Sequence, residues 1–230
     1  MGTTDSSQPP APPTFVWVPG AGATGRYRDA STGRFVKGSA VREALDTYLD
    51  KTDDVAGVAS QALREGKISL ADWQSAMMRQ IKIAHMNAAA TAVGGYANMT
   101  HADRGRAGAA IREQYKYLRD FATEIASGKQ KLDGRMLYRA RMYIQAARET
   151  LYKVKHGAAK TMNLADMVRS IRHARDSCPE CIELDGVWFR LDDPNYKPPG
   201  SRLCAKNCKC SEEFGRSQGD GVEIESVEVL

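Results

Sequence analysis

From Ser39 onward, apolar positions recur at steps of three and four, the spacing of one face of an α-helix. Ser39 can cap a helix through about Lys51, and a second is predicted from Asp53 to about Glu65. Ser69 opens a longer helix whose Leu70, Trp73, Met77, Ile81, Ala84 and Ala88 share a face, with Gly94-Gly95 as its stop. Thr100, with Asp103 three residues on, opens the next, striped by Ile111, Tyr115, Leu118, Ala122 and Ile125 and ended by Ser127-Gly128. The most regular stripe follows: Leu137, Ala140, Ile144, Ala147, Leu151 and Val154. The short loop between these last two helices predicts antiparallel packing. Asn163 can cap a final helix to about Arg175.

Outside this body the pattern changes. Residues 1–13 are rich in Ser, Gln and Pro and predict a disordered or extended arm. Next, Thr24-Gly25-Arg26-Tyr27 is echoed by Thr32-Gly33-Arg34-Phe35 across the turn-like Asp29-Ala30-Ser31, which predicts a small hairpin or an extended clamp. Residues 20–25, GAGATG, fit a dinucleotide-binding spacing. No helix follows to make a βαβ unit, so a glycine-rich loop is the expectation. The stretch GVWFRL, rich in β-formers, reads as a strand, and the alternating tail GVEIESVEVL either adds a strand to a neighbour or stays extended. The chain is therefore expected to be mainly α: an arm with an Arg/aromatic hairpin (1–38), a helical bundle body (39–175), a small cysteine-knuckle β-hairpin lobe (176–216) and an acidic tail (217–230).

Composition agrees with this class. The 230 residues are 42% apolar but only 7% aromatic, with a mean hydropathy of −0.48, which argues against a large β-sandwich. No run approaches the roughly 18 apolar residues of a membrane span, and the N-terminus lacks the basic start and apolar stretch of a secretory signal. The net charge of +5 is uneven: residues 101–160 hold 14 Lys or Arg against 6 Asp or Glu, a local +8. On the helix after Gly134, Tyr138, Arg141, Gln145, Arg148, Tyr152 and Lys155 form one line beside the apolar stripe. Such a line of cations and rings can follow a phosphate backbone or grip an acidic protein face, or it can be a solvated surface. With Arg26, Arg28 and Arg34 of the hairpin, it is the candidate contact to nucleic acid or a partner.

All five cysteines lie near the end: Cys178, Cys181, Cys204, Cys208 and Cys210. Cys178-Pro-Glu-Cys181 is a knuckle, and Cys208-Lys-Cys210 a second thiol pair. Two such pairs can close a tetrahedral zinc site at Zn–S near 2.3 Å. The preferred ligands are Cys178, Cys181, Cys208 and Cys210, and Cys204 can replace one of the latter pair. Disulfides with one free thiol, or unliganded thiols, are the alternatives. The surrounding segment has few large apolar residues and needs a staple. The four histidines show no ligand spacing.

The order Cys178-Pro179-Glu180-Cys181, Leu184-Asp185-Gly186, Asp192-Asp193-Pro194, Pro198-Pro199 and Cys208-Lys209-Cys210 resembles the C-terminal signature of the phage head morphogenesis family, the Mu-type minor head proteins. The family usually carries a histidine where this chain has Ala205, with Cys204 one residue earlier, so the fourth ligand stays open. The resemblance implies a non-enzymatic virion component, made in the bacterial host cytoplasm and acting in head assembly. Its expected partners are the portal or major capsid protein and, through the cationic residues, packaged DNA. No membrane and no small-molecule substrate are implied. A zinc-knuckle DNA-binding regulator is the alternative. An enzyme is disfavoured, because no Ser/His/Asp set, HExxH or H-N-H pattern accompanies the knuckle.

Overall fold

A computed structural model describes residues 14–19, 25–204, 208–218 and 223–227. The fold is mainly α with two small antiparallel sheets. The proposed arm 1–13 and most of GAGATG lie outside the described residues. The first sheet has the order β1 (Phe15–Pro19), β2 (Gly25–Asp29) and β3 (Phe35–Val36): β2 and β3 make the expected hairpin across the Asp29 turn, and β1 adds a third strand. β1 and β2 pair antiparallel, with Pro19 opposite Gly25, so the glycine-rich segment joins hairpin strands and opens no βαβ unit. Asp29 builds the next turn by accepting the Ser31 and Thr32 backbone N–H groups at 2.8 Å each. Alternation along β2 buries Tyr27 and points Arg26 and Arg28 outward. Buried Tyr27 donates its hydroxyl to the Ala92 carbonyl and so anchors the hairpin on the helices.

The body comprises α1 (Gly38–Arg64), α2 (Leu70–Ala92), α3 (His101–Ala126), α4 (Gly134–Gln145) and α5 (Ala147–Thr161). The caps at Ser69 and Thr100 form as expected, the latter as a full capping box with Asp103. α2 is the central helix. Its Ala84, Ala88, Ala89 and Ala92 are fully buried, and their small side chains let neighbouring helices approach closely. Trp73 donates its indole N–H to Ser60 of α1 and meets Phe121 of α3 edge-on at 5.6 Å.

Three expectations are corrected. The two helices expected before Glu65 are one. Nothing between Lys51 and Asp53 breaks the backbone, and Thr52 is buried with its hydroxyl bonded to the Tyr48 carbonyl. The single stripe after Gly134 is interrupted at Ala146, where an i→i+3 bond from the Glu149 N–H to Ala146 O tightens the turn. The helix expected from Asn163 to Arg175 is a strand, β4 (Met167–Ile171). Asn163 ends α5: its φ of 52° is left-handed, and the Leu164 N–H returns to the Ala159 carbonyl. After it Val168 and Ser170 alternate inward, the period of a strand.

The second sheet has the order β5-β4-β6-β7, with β5 (Trp188–Arg190), β6 (Ser211–Gln218) and β7 (Glu223–Val227), so the lobe is larger than a hairpin. The acidic tail supplies β7 and pairs with β6 of its own chain. Val168 and Phe214 carry this sheet into the helical core.

One core group gives a pH signature. His85 of α2 is buried and bonded through Nδ1 to the Thr150 hydroxyl at 2.7 Å, while Nε2 has no partner. Burial lowers its pKa from 6.5 to about 4. Below pH 6.5 the unfolded chain takes up a proton that the folded chain refuses, so stability falls as pH drops from 6.5 toward 4. We expect His85→Gln to remove roughly 3 kcal/mol of this pH dependence. Urea unfolding of both proteins across that window measures it; parallel curves would refute it.

Candidate metal centre

The sheet register brings the two cysteine groups together. Ile171 at the end of β4 is paired with Ser211 at the start of β6. The chain leaving β4 reaches Cys178 seven residues later, and Cys210 immediately precedes Ser211. Cys178 caps the short helix α6 (Pro179–Glu183), with Pro179 in its first turn, and Cys181 lies buried within it. The Leu184-Asp185-Gly186 triplet ties α6 back to β4. Gly186, at φ 74°, donates its N–H to Ser170 O at 2.8 Å, and Asp185 accepts the Arg172 N–H at 2.9 Å. Asp193 folds the following turn by accepting the Asn195 N–H at 2.8 Å. After Pro198-Pro199, Gly200 adopts φ +93° with its backbone so close to α5 that a Cβ would lie 3.1 Å from Glu149 N.

The five thiols are free and gather in two overlapping triads. Cys178, Cys181 and Cys204 form one, and Cys181, Cys208 and Cys210 the other; within each, the sulfurs lie within 4.8 Å of one another. Cys181 is the shared vertex. Its Sγ lies 3.5 Å from that of Cys204 and 3.9 Å from that of Cys208. A tetrahedral site at Zn–S near 2.3 Å has sulfur–sulfur edges of about 3.8 Å, so both separations suit a shared metal, whereas a disulfide needs about 2.05 Å. The cluster can therefore hold a metal ion, and Cys204 belongs to it as fully as the preferred four.

The local electrostatics favour anionic sulfur at two vertices. Cys208 is lowered to about 5 by the Cys210 thiol and, against burial, by the Cys210 and Gly200 backbone N–H groups. Burial opposes ionisation of Cys178, yet hydrogen bonds from the Cys181 and Cys204 backbone N–H groups and thiols hold its pKa below the usual thiol value. Burial pushes Cys181 and Cys204 up, and hydrogen bonding to Cys208 raises Cys210.

Sequence reasoning missed Arg202. Its side chain is buried; Nε donates to Lys197 O and Nη1 to Ser170 Oγ, each at 2.8 Å, and Nη1 lies 3.7 Å from Cys181 Sγ. No spacing rule marks an arginine two residues before a cysteine, so its role emerges only with the fold. Glu212 was likewise unflagged; it accepts from Tyr196 at 3.0 Å and meets His156 Nε2 at 2.9 Å, joining the lobe to α5. Among the described residues no histidine joins the sulfur cluster; His173 is bonded instead to the Ser211 hydroxyl.

The cationic line on α4 and α5 is not the open face that the sequence suggests. It lies along α1, where Asp46, Asp50, Asp53 and Asp54 form an acidic row. Arg141 pairs with Asp54 at 3.0 Å and Asp53 at 3.5 Å, Gln145 donates to Asp50, and Arg148 pairs with Asp46 at 2.7 Å. Arg148 and Tyr152 are buried, and Lys155 lies over the Tyr27 ring at 5.8 Å. Only Tyr138 of the line is largely exposed. The hairpin cations Arg26, Arg28 and Arg34 do face outward, with Arg26 stacked on Phe35 at 4.7 Å. No described helix is long and apolar enough to cross a membrane. The chain matches no family model, no curated protein and no solved structure.

Two outcomes follow from this geometry. Cys181→Ser removes the vertex common to both triads and should abolish stoichiometric metal binding by the reduced protein, while His173→Ala should leave it unchanged; metal analysis after gel filtration reads both. Asp46→Ala removes the nearest carboxylate from the buried Arg148 guanidinium and should cost about 1.5–3 kcal/mol in urea unfolding, whereas Asp54→Ala, at an exposed pair, should cost under about 1 kcal/mol.

Proposed function

We propose that this chain is a structural component of a bacteriophage head, a minor head protein whose helical body carries a zinc-stapled lobe. The observation behind the reading is that the landmarks of the sequence resemblance all serve one construction. Cys178 to Cys181 forms the knuckle, Leu184 to Gly186 ties it to β4, Pro198-Pro199 leads to the contact with α5, and Cys208 to Cys210 closes on the knuckle.

Zinc suits a tetrahedral all-thiolate donor set. Bound there, it would supply folding energy rather than an activated water. The cysteines would hold it, the N–H groups around Cys178 and Cys208 would orient their sulfurs, and Asp185 and Gly186 fix the knuckle to the sheet.

In this reading the protein assembles in the bacterial host cytoplasm and ends in the virion, against the portal or major capsid protein. The outward Arg26, Arg28 and Arg34 face packaged DNA or an acidic capsid surface. The alternative, a zinc-knuckle regulator of free DNA, has less behind it, because Arg141 and Arg148 are engaged with α1.

Density-gradient fractionation of an infected lysate tests this. The chain should sediment with heads at a few copies per particle. The triple change of Arg26, Arg28 and Arg34 to Glu, which spares Tyr27, should reduce that incorporation. Sedimentation with free DNA and absence from particles would replace the head reading with the regulator.

A further inference from the structure

Arg202 is only 3% exposed. Its acceptors are a carbonyl, a hydroxyl and the Cys181 sulfur, and Nη2 is buried without a partner. Among the described residues no carboxylate pairs with it. Its one ring contact, with Tyr196 at 5.9 Å, is distant. A buried cation without an anion is strongly unfavourable. Glu180 acts on it only from beyond ion-pair distance, so the compensating charge falls chiefly to the sulfurs in contact with it, and neither a disulfide nor a protonated cluster supplies it. Four thiolates around one Zn²⁺ carry a net charge of −2, each bound sulfur having released its proton to water.

The contacts also select the four. Cys181, the sulfur common to both triads, faces the Arg202 guanidinium at 3.7 Å. Cys204 shares one triad with Cys178 and Cys181, and Cys181 links it to Cys208: the Cys181 sulfur lies 3.5 Å from that of Cys204 and 3.9 Å from that of Cys208, both near a tetrahedral edge. Cys210 reaches Cys181 and Cys208, and its backbone N–H serves the Cys208 sulfur.

Resting on the zinc reading, we propose that the ion is held by Cys178, Cys181, Cys204 and Cys208, with Cys210 outside the shell and Arg202 as the positioning residue that balances the tetrathiolate charge at Cys181. Arg202 at once joins Ser170 on β4, the Lys197 carbonyl and the knuckle. Metal binding is thereby coupled to the seating of the sheet on α6.

Full-length reduced protein is loaded with Zn²⁺ and titrated against a chromophoric chelator, and Co²⁺ replaces zinc to report the number of thiolates through the sulfur-to-metal charge-transfer band. Wild type and Cys210→Ser should each bind one equivalent with a four-thiolate spectrum. Cys204→Ser should lose one thiolate of band intensity and bind at least about tenfold more weakly. Arg202→Met should bind roughly 10–100-fold more weakly with its four-thiolate band kept, and Arg202→Lys should recover part of the loss. Should Arg202→Met not fold, the lysine variant carries that arm, with an affinity between wild type and a tenfold loss. Thiolate loss in Cys210→Ser but not in Cys204→Ser overturns the ligand assignment. Wild-type affinity in either Arg202 variant overturns the role of Arg202. Wild type that takes up neither metal refutes the zinc reading itself, a result distinct from both.

Discussion

Sulfur occupies the place in the C-terminal lobe that hydrocarbon occupies in the rest of the chain. The buried cluster there is made of Cys181, Cys208 and Cys210, with Cys178 and Cys204 packed on it, and it is separate from the large apolar core of the helices. Cys178 and Cys181 meet Cys204, Cys208 and Cys210 from opposite ends of the lobe, and between the two groups lie turns fixed by Asp185, Gly186 and Asp193. Thiols alone attract each other weakly. Gathered as five, with hydrogen bonds lowering the pKa of Cys178 and Cys208, they form a donor set that can hold a metal ion. The course of the chain from β4 to β6 turns on the meeting of these sulfurs.

The lobe is not an independent domain despite its separate sulfur cluster. Val168, Phe214 and Tyr196 belong to the same buried core as Trp73 and Phe121. Glu212, with its side chain 1% exposed, binds His156 of α5 and Tyr196 together, and Tyr152 donates to the Cys210 carbonyl. β4, which the sequence pattern assigns to the end of the helical body, is an inner strand of the lobe's sheet. Anything that stiffens the sulfur cluster is felt along α5.

The charge distribution has a similar internal explanation. The excess of Lys and Arg in residues 101–160 suggests an external anion, but part of it answers the aspartates of α1. Arg148 is the clearest case: with only 8% of its side chain exposed, it faces Asp46 and Asp50 across the seam. That pairing links α1 to the start of α5, whereas Arg26, Arg28 and Arg34 of the hairpin face outward.

What one helix or one turn decides was legible along the chain. The faces of α2 and α3, the caps at Ser69 and Thr100, the hairpin turn at Asp29 and the two cysteine pairs all depend on neighbours a few residues away. Pairings between distant segments were not legible. Asn163 has the chemistry of either helix end, and only the return of Leu164 to Ala159 made it a terminator. Met167–Ile171 became a strand because β5 and β6 flank it on either side. Arg148 and Tyr152 look like surface until α1 and the lobe cover them, and Arg202 looks ordinary until Cys181 and Ser170 close around it. The sequence alone determined a helical protein ending in a cysteine-rich lobe, because periodicity and capping are local. Tertiary structure decided which charges are internal and which sulfurs meet, because burial and electrostatic compensation belong to the assembled chain.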